Sequence, residues 1–387
     1  MEFKTFKDLK QKLSGKESSP AENVVLNVCK VKSGERVLII ANPATAEIAQ
    51  DLYKASVDAG AVTTLMYQND KTSFDNANPE VVAAIKSNPD VCFSISNIKL
   101  GKDAEAAANP YKTDDGQKFT SAFDYLLDGK KSMRAVWTPG ITVDMMNRTA
   151  NIDYSLLKKR CKTLTEIFEN VEEIHVTAPG GTDLYVPVKG RKLLSDDGDF
   201  SKPGTGGNIP AGEVFISPLV GGSEYDGKKS DGCNGIIVYD GSMTFGDGDS
   251  IIETPIKCTV KNGYVKEISG GAEARRLQKT ITEAEIRPAI LEKEKKLPEG
   301  QSSVYKKNAR NIGELGIGLN PAARITGNML EDEKAFHTCH FAIGENYDND
   351  APSLIHLDGV VREPTITLKY CDGSQKDILL NGELQID

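Results

Sequence analysis

Four histidines occur in the 387 residues, and three of them, His337, His340 and His356, lie in the short stretch that ends at Asp358. Side chains two apart in an extended segment point the same way, so His356-Leu357-Asp358 turns an imidazole and a carboxylate to one face. His340, His356 and Asp358 together form a two-histidine, one-carboxylate donor set for a metal ion. Two glutamates stand in matching contexts. Glu213 follows Pro210-Ala211-Gly212 and leads into Val214-Phe215, and Glu314 follows Gly313 and precedes an apolar run from Leu315 to Leu319. A glutamate entering such a strand ordinarily faces solvent, but two of them beside a histidine cluster read as ligands. Glu213, Glu314, His340, His356 and Asp358, with Tyr347 nearby, are more donors than one tetrahedral zinc needs. They suit two divalent ions that share carboxylates and clamp the attacking and leaving oxygens of a hydrolysis.

The remaining reactive side chains carry less. His337 lies three residues before His340, and in a helix the two would share a face, which makes His337 an accessory-ligand candidate. His175 sits in an expected strand far from the cluster and reads as structural. Cys339 reads as a small buried residue, not a nucleophile. The seven cysteines are scattered and include no Cys-x-x-Cys pair, the usage of reduced thiols in a cytoplasm.

A net charge of -9 argues against a nucleic-acid partner, because phosphate binding needs basic patches. No apolar run approaches membrane-spanning length, and the N-terminal Met1–Leu13 stretch lacks the apolar region of a secretory signal.

Those donors need a scaffold, and the chain is long enough for two domains. Up to about residue 165 it alternates helices and strands. Ser19-Pro20-Ala21-Glu22 carries a capping box, followed by strands at 35–41, 61–67, 90–96 and 133–138, with helices between them at 43–59 and 79–86. This pattern predicts an α/β N-terminal domain, residues 1–165, with a mainly parallel sheet. The turn after the first strong strand, Ala41-Asn42-Pro43-Ala44-Thr45, lacks the glycines of a dinucleotide or phosphate loop, so no nucleotide cofactor is expected. A helix at 154–170 leads onward. From there short apolar runs alternate with glycine-rich turns, including Pro179-Gly180-Gly181-Thr182, and a charged helix follows at 272–296. Residues 166–387 therefore read as a β-rich α+β C-terminal domain that carries the metal site.

The ordered set of Asn208-x-Pro210-x-Gly212-Glu213-Val214-Phe215, Gly313-Glu314, Cys339-His340-x-Ala342-x-Gly344, Tyr347 and His356-x-Asp358 resembles the M29 metallopeptidases, the aminopeptidase T family. The resemblance covers most of the chain. It implies two divalent ions (zinc, cobalt or manganese) held by Glu213, Glu314, His340, His356 and Asp358, and a cytoplasmic, homodimeric aminopeptidase acting on short peptides. In the implied mechanism Glu314 is the candidate proton acceptor and Tyr347 the donor to the oxyanion. Two departures stand out. The family's Asp-Glu-Asn-Ala run reads Asp332-Glu333-Lys334-Ala335, and the loop from His340 to His356 is short, features that look like a less characterised branch. The iron-dependent 2,5-dihydroxypyridine ring-cleaving dioxygenases look like distant relatives. The alternative they imply is one Fe(II) on His340, His356 and Asp358.

Overall fold

The computed structural model describes residues 18–72 and 75–386. The stretch Met1–Leu13, read above for a secretory signal, lies outside the described residues.

The fold begins where the capping signals place it. Ser19 accepts from the Glu22 backbone amide while the Glu22 carboxylate accepts from Ser19, and a short helix at Pro20–Asn23 follows. Arg36–Ala41 and Val91–Ile95 are buried almost throughout, as continuous apolar strands of a parallel sheet should be. The helix Ala46–Asp58 buries Ile48, Leu52 and Ala55 at helical spacing and is followed by Gly60 at a positive φ. Among the described residues this sheet has five strands, ordered Gly206–Asn208, Arg134–Trp137, Val91–Ile95, Arg36–Ala41, Val62–Tyr67, and every neighbouring pair is parallel. The turn after Arg36–Ala41 is occupied by its own side chains: Asn42 donates to the Gln68 carbonyl and accepts from the Asn97 amide, and Thr45 donates to the Ile95 carbonyl.

The rest of the chain is dominated by antiparallel sheets. Among the described residues one of these has eight strands, running from Tyr264–Ser269 at one edge to Glu383–Leu384 at the other. A second has seven, ordered Gly248–Ile251, Ser242–Phe245, His356–Arg362, Thr338–Gly344, Ile312–Gly318, Glu213–Ile216, Leu194–Asp196. The long helix Ala272–Lys293 buries Leu277, Ile281 and Ala284, the stripe expected from its spacing. The molecule is thus an α/β region with a parallel sheet followed by a β-rich region, as its sequence pattern predicts.

The chain forms two compact units. One comprises the described residues up to Tyr154 together with Gly198–Ala211; the other comprises Ser155–Asp197 and the described residues from Gly212. The sequence places the division at 165/166. The structure places it at the start of the helix Tyr154–Ile167 and returns the chain to the first unit over Gly198–Ala211. That return is anchored by Gly206–Asn208, a three-residue edge strand whose Gly-Gly-Asn sequence has no apolar period to betray it.

Candidate metal centre

The seven-stranded sheet brings the donors together by register alone. Gly316 lies opposite His340 and Glu314 opposite Ala342, Ala342 lies opposite Asp358 and Gly344 opposite His356, and Glu213 lies opposite Gly318. Directly opposed residues, and residues two apart along a strand, share a face. Glu213, Glu314, His340, His356 and Asp358 therefore all project from one side. The other side carries Leu315, Ile317, Cys339 and Phe341, all buried. Gly316 is required for this: a Cβ there would lie 2.0 Å from His340 Nε2, so the imidazole occupies the space a side chain would take.

Within the cluster Glu314 is central. Its Oε1 is 3.3 Å from His340 Nε2 and its Oε2 is 3.0 Å from His356 Nε2. His340 Nε2 is also 3.4 Å from Glu213 Oε2, and His356 Nε2 is 3.2 Å from Asp358 Oδ1. Two compact donor groups result, Glu213–Glu314–His340 and Glu314–His356–Asp358, with Glu314 in both. His356 Nδ1 donates to the Glu345 carbonyl at 2.9 Å, which orients the ring and leaves Nε2 for a ligand bond.

These residues fit divalent cations. Glu213 Oε2 and Asp358 Oδ1 are buried with only an imidazole beside them, at 3.4 Å and 3.2 Å, and both oxygens of Asp196, which faces Glu213 across the strand pair, are buried without a hydrogen-bond donor. Buried carboxylate oxygens need a cation or a proton. In the metal-free chain both imidazoles are pushed towards the protonated form, and so are the carboxyls of Asp196 and Glu333. Burial opposes charge on His340, but Glu314 and Glu213 outweigh it and push its pKa up to about 9. His356 is likewise raised well above its ordinary value, against burial, by Asp358 and Glu314. Burial favours neutral Glu314, yet His340 and His356 hold it below the usual carboxylate range. Asp358 is brought down to about 2 against burial, chiefly by His356. Burial drives Asp196 well above its ordinary value.

Two contributors were invisible as donors in the sequence. Lys334 is fully buried, and its Nζ lies 3.1 Å from Glu213 Oε1 while it also pairs with Glu333. Gly318 lets this segment approach: a Cβ at Gly318 would meet the Ala335 carbonyl oxygen at 2.0 Å. The Glu333 carboxyl is raised to about 8, by burial first and then, against the pull of Lys334, by Glu213 and Asp358. The substitution of lysine into the Asp332–Ala335 run was the one available signal for both.

The other sequence candidates separate cleanly. Tyr347 is 52% exposed, but its ring packs against Phe215 at 4.8 Å and against His356 at 5.3 Å, on the edge of the cluster. Its short loop is fastened by Arg191, which pairs with Asp348 at 3.3 Å and Asp350 at 2.7 Å. His337 is not helical: it has a φ of 68° just before the strand Thr338–Gly344 and bonds the Gly382 carbonyl, away from the donors. His175 pairs with Asp183 at 2.7 Å and stacks on Tyr185. Cys339 is buried, and desolvation raises its thiol. The triad His340–His356–Asp358 does not form a compact group among the described residues, because Glu314 stands between the two imidazoles.

No curated protein matches the chain. Solved structures do. A 2,5-dihydroxypyridine dioxygenase from Pseudomonas putida KT2440 superposes with a TM-score of 0.66 at 16% identity, over 95% of this chain and 96% of that one. Wild-type AmpT from Thermus thermophilus superposes with a TM-score of 0.63 at 16% identity, over 98% of this chain and 100% of that one. At that identity the likeness shows a common fold, the one the motif resemblance implied. Among the described residues no helix is long and apolar enough to cross a membrane. Residues 129–385, well over half of the chain, match the family model described as "NicX: 2,5-dihydroxypyridine 5,6-dioxygenase", and the chain belongs to that family.

Proposed function

We propose that the protein is a metal-dependent aminopeptidase that hydrolyses short peptides from the N-terminus. The observation that carries this reading is the position of Glu314, which turns one oxygen towards each imidazole and so joins two cation-binding groups. A shared carboxylate between two such groups is the arrangement that hydrolytic two-metal sites use. Glu213, Glu314 and His340 would hold one ion, and Glu314, His356 and Asp358 the other. Zinc, cobalt and manganese all suit this mixture of imidazole and carboxylate. Bound divalent ions supply Lewis acidity, which brings water towards ionisation near neutral pH and polarises a carbonyl.

The chain's own groups divide the proton work. Glu314 is a poor proton acceptor because two imidazoles hold it low. Glu333, raised to about 8 and paired with Lys334, is the better candidate in this proposal, acting at the pH where it has lost its own proton. Tyr347 is raised above its ordinary value by desolvation and by Glu314 and Asp358, although half its surface is open; it therefore stays a hydrogen-bond donor suited to a developing oxyanion. A homodimer in the cytoplasm belongs to the same proposal, in keeping with free cysteines and the absence of any disulfide among the described residues.

A second reading rests on the family match: ring cleavage of a dihydroxypyridine at a single Fe(II). The sequence expectation for that ion is His340, His356 and Asp358; Glu314, His356 and Asp358 are the compact group that shares two of those donors. One experiment separates the two. Purified protein is stripped of metal, then assayed on a dipeptide panel with zinc, cobalt or manganese, and on 2,5-dihydroxypyridine with Fe(II) in air. Peptide hydrolysis that disappears with chelator and in Glu213→Ala and Asp358→Ala supports the peptidase. Hydrolysis that survives in both variants, or ring cleavage with iron alone, overturns it.

A further inference from the structure

Lys334 is a fully buried amine beside the candidate metal centre, and neither functional reading gives it a part in holding the metal. Its Nζ reaches Glu213 Oε1 at 3.1 Å and pairs with Glu333 on its other side. A neutral amine here would leave buried anions unpaired, so the group is an ammonium. Its direct ion pair is with only one of the two donor groups, although its charge is also felt at Asp358. Glu213 belongs to the group with His340, whereas none of Glu314, His356 or Asp358 is an ion-pair partner of Lys334. The backbone holds the lysine in place: Asn320 donates to its carbonyl at 3.0 Å, its amide bonds the Glu331 carbonyl at 3.0 Å, and Gly318 admits the segment against the sheet.

We infer that Lys334 makes the two cation positions unequal, acting as a resident positive charge that weakens divalent-metal binding at Glu213–Glu314–His340 and leaves Glu314–His356–Asp358 as the tight position. Two effects act together. The ammonium engages Glu213 Oε1, so only Oε2 remains for a metal. It also adds a like charge beside that metal, in a water-poor site where such repulsion is large. Glu333 shares the ammonium but does not release the Glu213 oxygen. The centre then carries one resident divalent ion, and a second binds only when supplied. The inference rests on the metal reading of the site, not on which reaction the site performs.

The test is equilibrium dialysis of the metal-free full chain against a zinc series, with bound zinc read by elemental analysis. Wild type is expected to take one equivalent at low free zinc and a second at roughly 100-fold higher concentration or more. Lys334→Met and Lys334→Gln, checked for folding by circular dichroism, are expected to narrow that gap at least about tenfold. Glu213→Gln in the wild-type background should keep the tight equivalent, and His356→Ala should lose it. Two wild-type equivalents within about tenfold of each other would overturn the inference. So would a gap that both lysine variants retain, or loss of the tight equivalent in Glu213→Gln. Because the readout is binding, an absence of peptide hydrolysis would count against the proposed reaction and leave this result standing.

Discussion

Replacing Gly316 with alanine is the most direct probe of how the sheet builds the centre. The added methyl would lie 2.0 Å from His340 Nε2 and 2.1 Å from its Cε1. Ordinary contact between such atoms begins near 3.4 Å, so the ring must retreat by about 1.4 Å or the strands must part. The ring has little room, because His340 is itself buried and Ala342 and Glu314, on the same face of the sheet, are buried beside it. Overpacking of this kind costs about 1–3 kcal/mol in a well-packed interior. Moving the ring also breaks the approaches of Nε2 to Glu314 at 3.3 Å and to Glu213 at 3.4 Å. Two measurements follow. Urea unfolding of the metal-free Gly316→Ala variant should show a stability loss of about 1–3 kcal/mol. Zinc titration should show the Glu213–Glu314–His340 position weakened about tenfold or more, since a first-sphere imidazole is displaced. A variant that unfolds and titrates like wild type would refute the claim that His340 fills the space above residue 316.

Two further expectations concern protons. His340 goes from 6.5 to about 9 in the folded, metal-free chain, so folding takes up a proton between those values. The stabilisation is complete below pH 6.5, is lost as pH rises through about 9, and amounts to about 3 kcal/mol. His356 acts in the same direction, while Asp358, depressed to about 2, adds stability that is lost only as pH falls towards that value. Denaturant unfolding of metal-free protein at several pH values should show the alkaline decline, and zinc loading should release protons into the buffer; a flat profile from pH 6 to about 10 would contradict the assignment. Glu333→Gln should lower kcat by about 10²–10⁴-fold on whichever substrate proves active while leaving tight zinc binding in place, and an unchanged kcat would remove Glu333 as the proton acceptor.

Much of this architecture could be read before any coordinates. The capping box at Ser19–Glu22 and the apolar runs at 36–41 and 91–95 state their own geometry locally. The five candidate donors stood out because scarce histidines cluster and because two glutamates repeat one context, Gly-Glu before an apolar strand. What they do together did not. Whether Glu314 serves one imidazole or two depends on strand register, and register is a relation between segments distant in sequence. The bulge between Ile312 and Glu314, which sets the opposition of Glu314 to Ala342, falls at Gly313, but a glycine marks a bulge without stating the register that results. Lys334 shows the same limit more sharply. As a residue type a lysine reads as solvated surface; only the closure of the sheet around Gly318 buries its ammonium against Glu213 and gives it a part in the centre. Which atoms could bind a cation is a property of side-chain chemistry and is written residue by residue. Which of them lie close enough to share one depends on distances of a few ångströms between strands far apart along the chain, and only the folded sheet sets those.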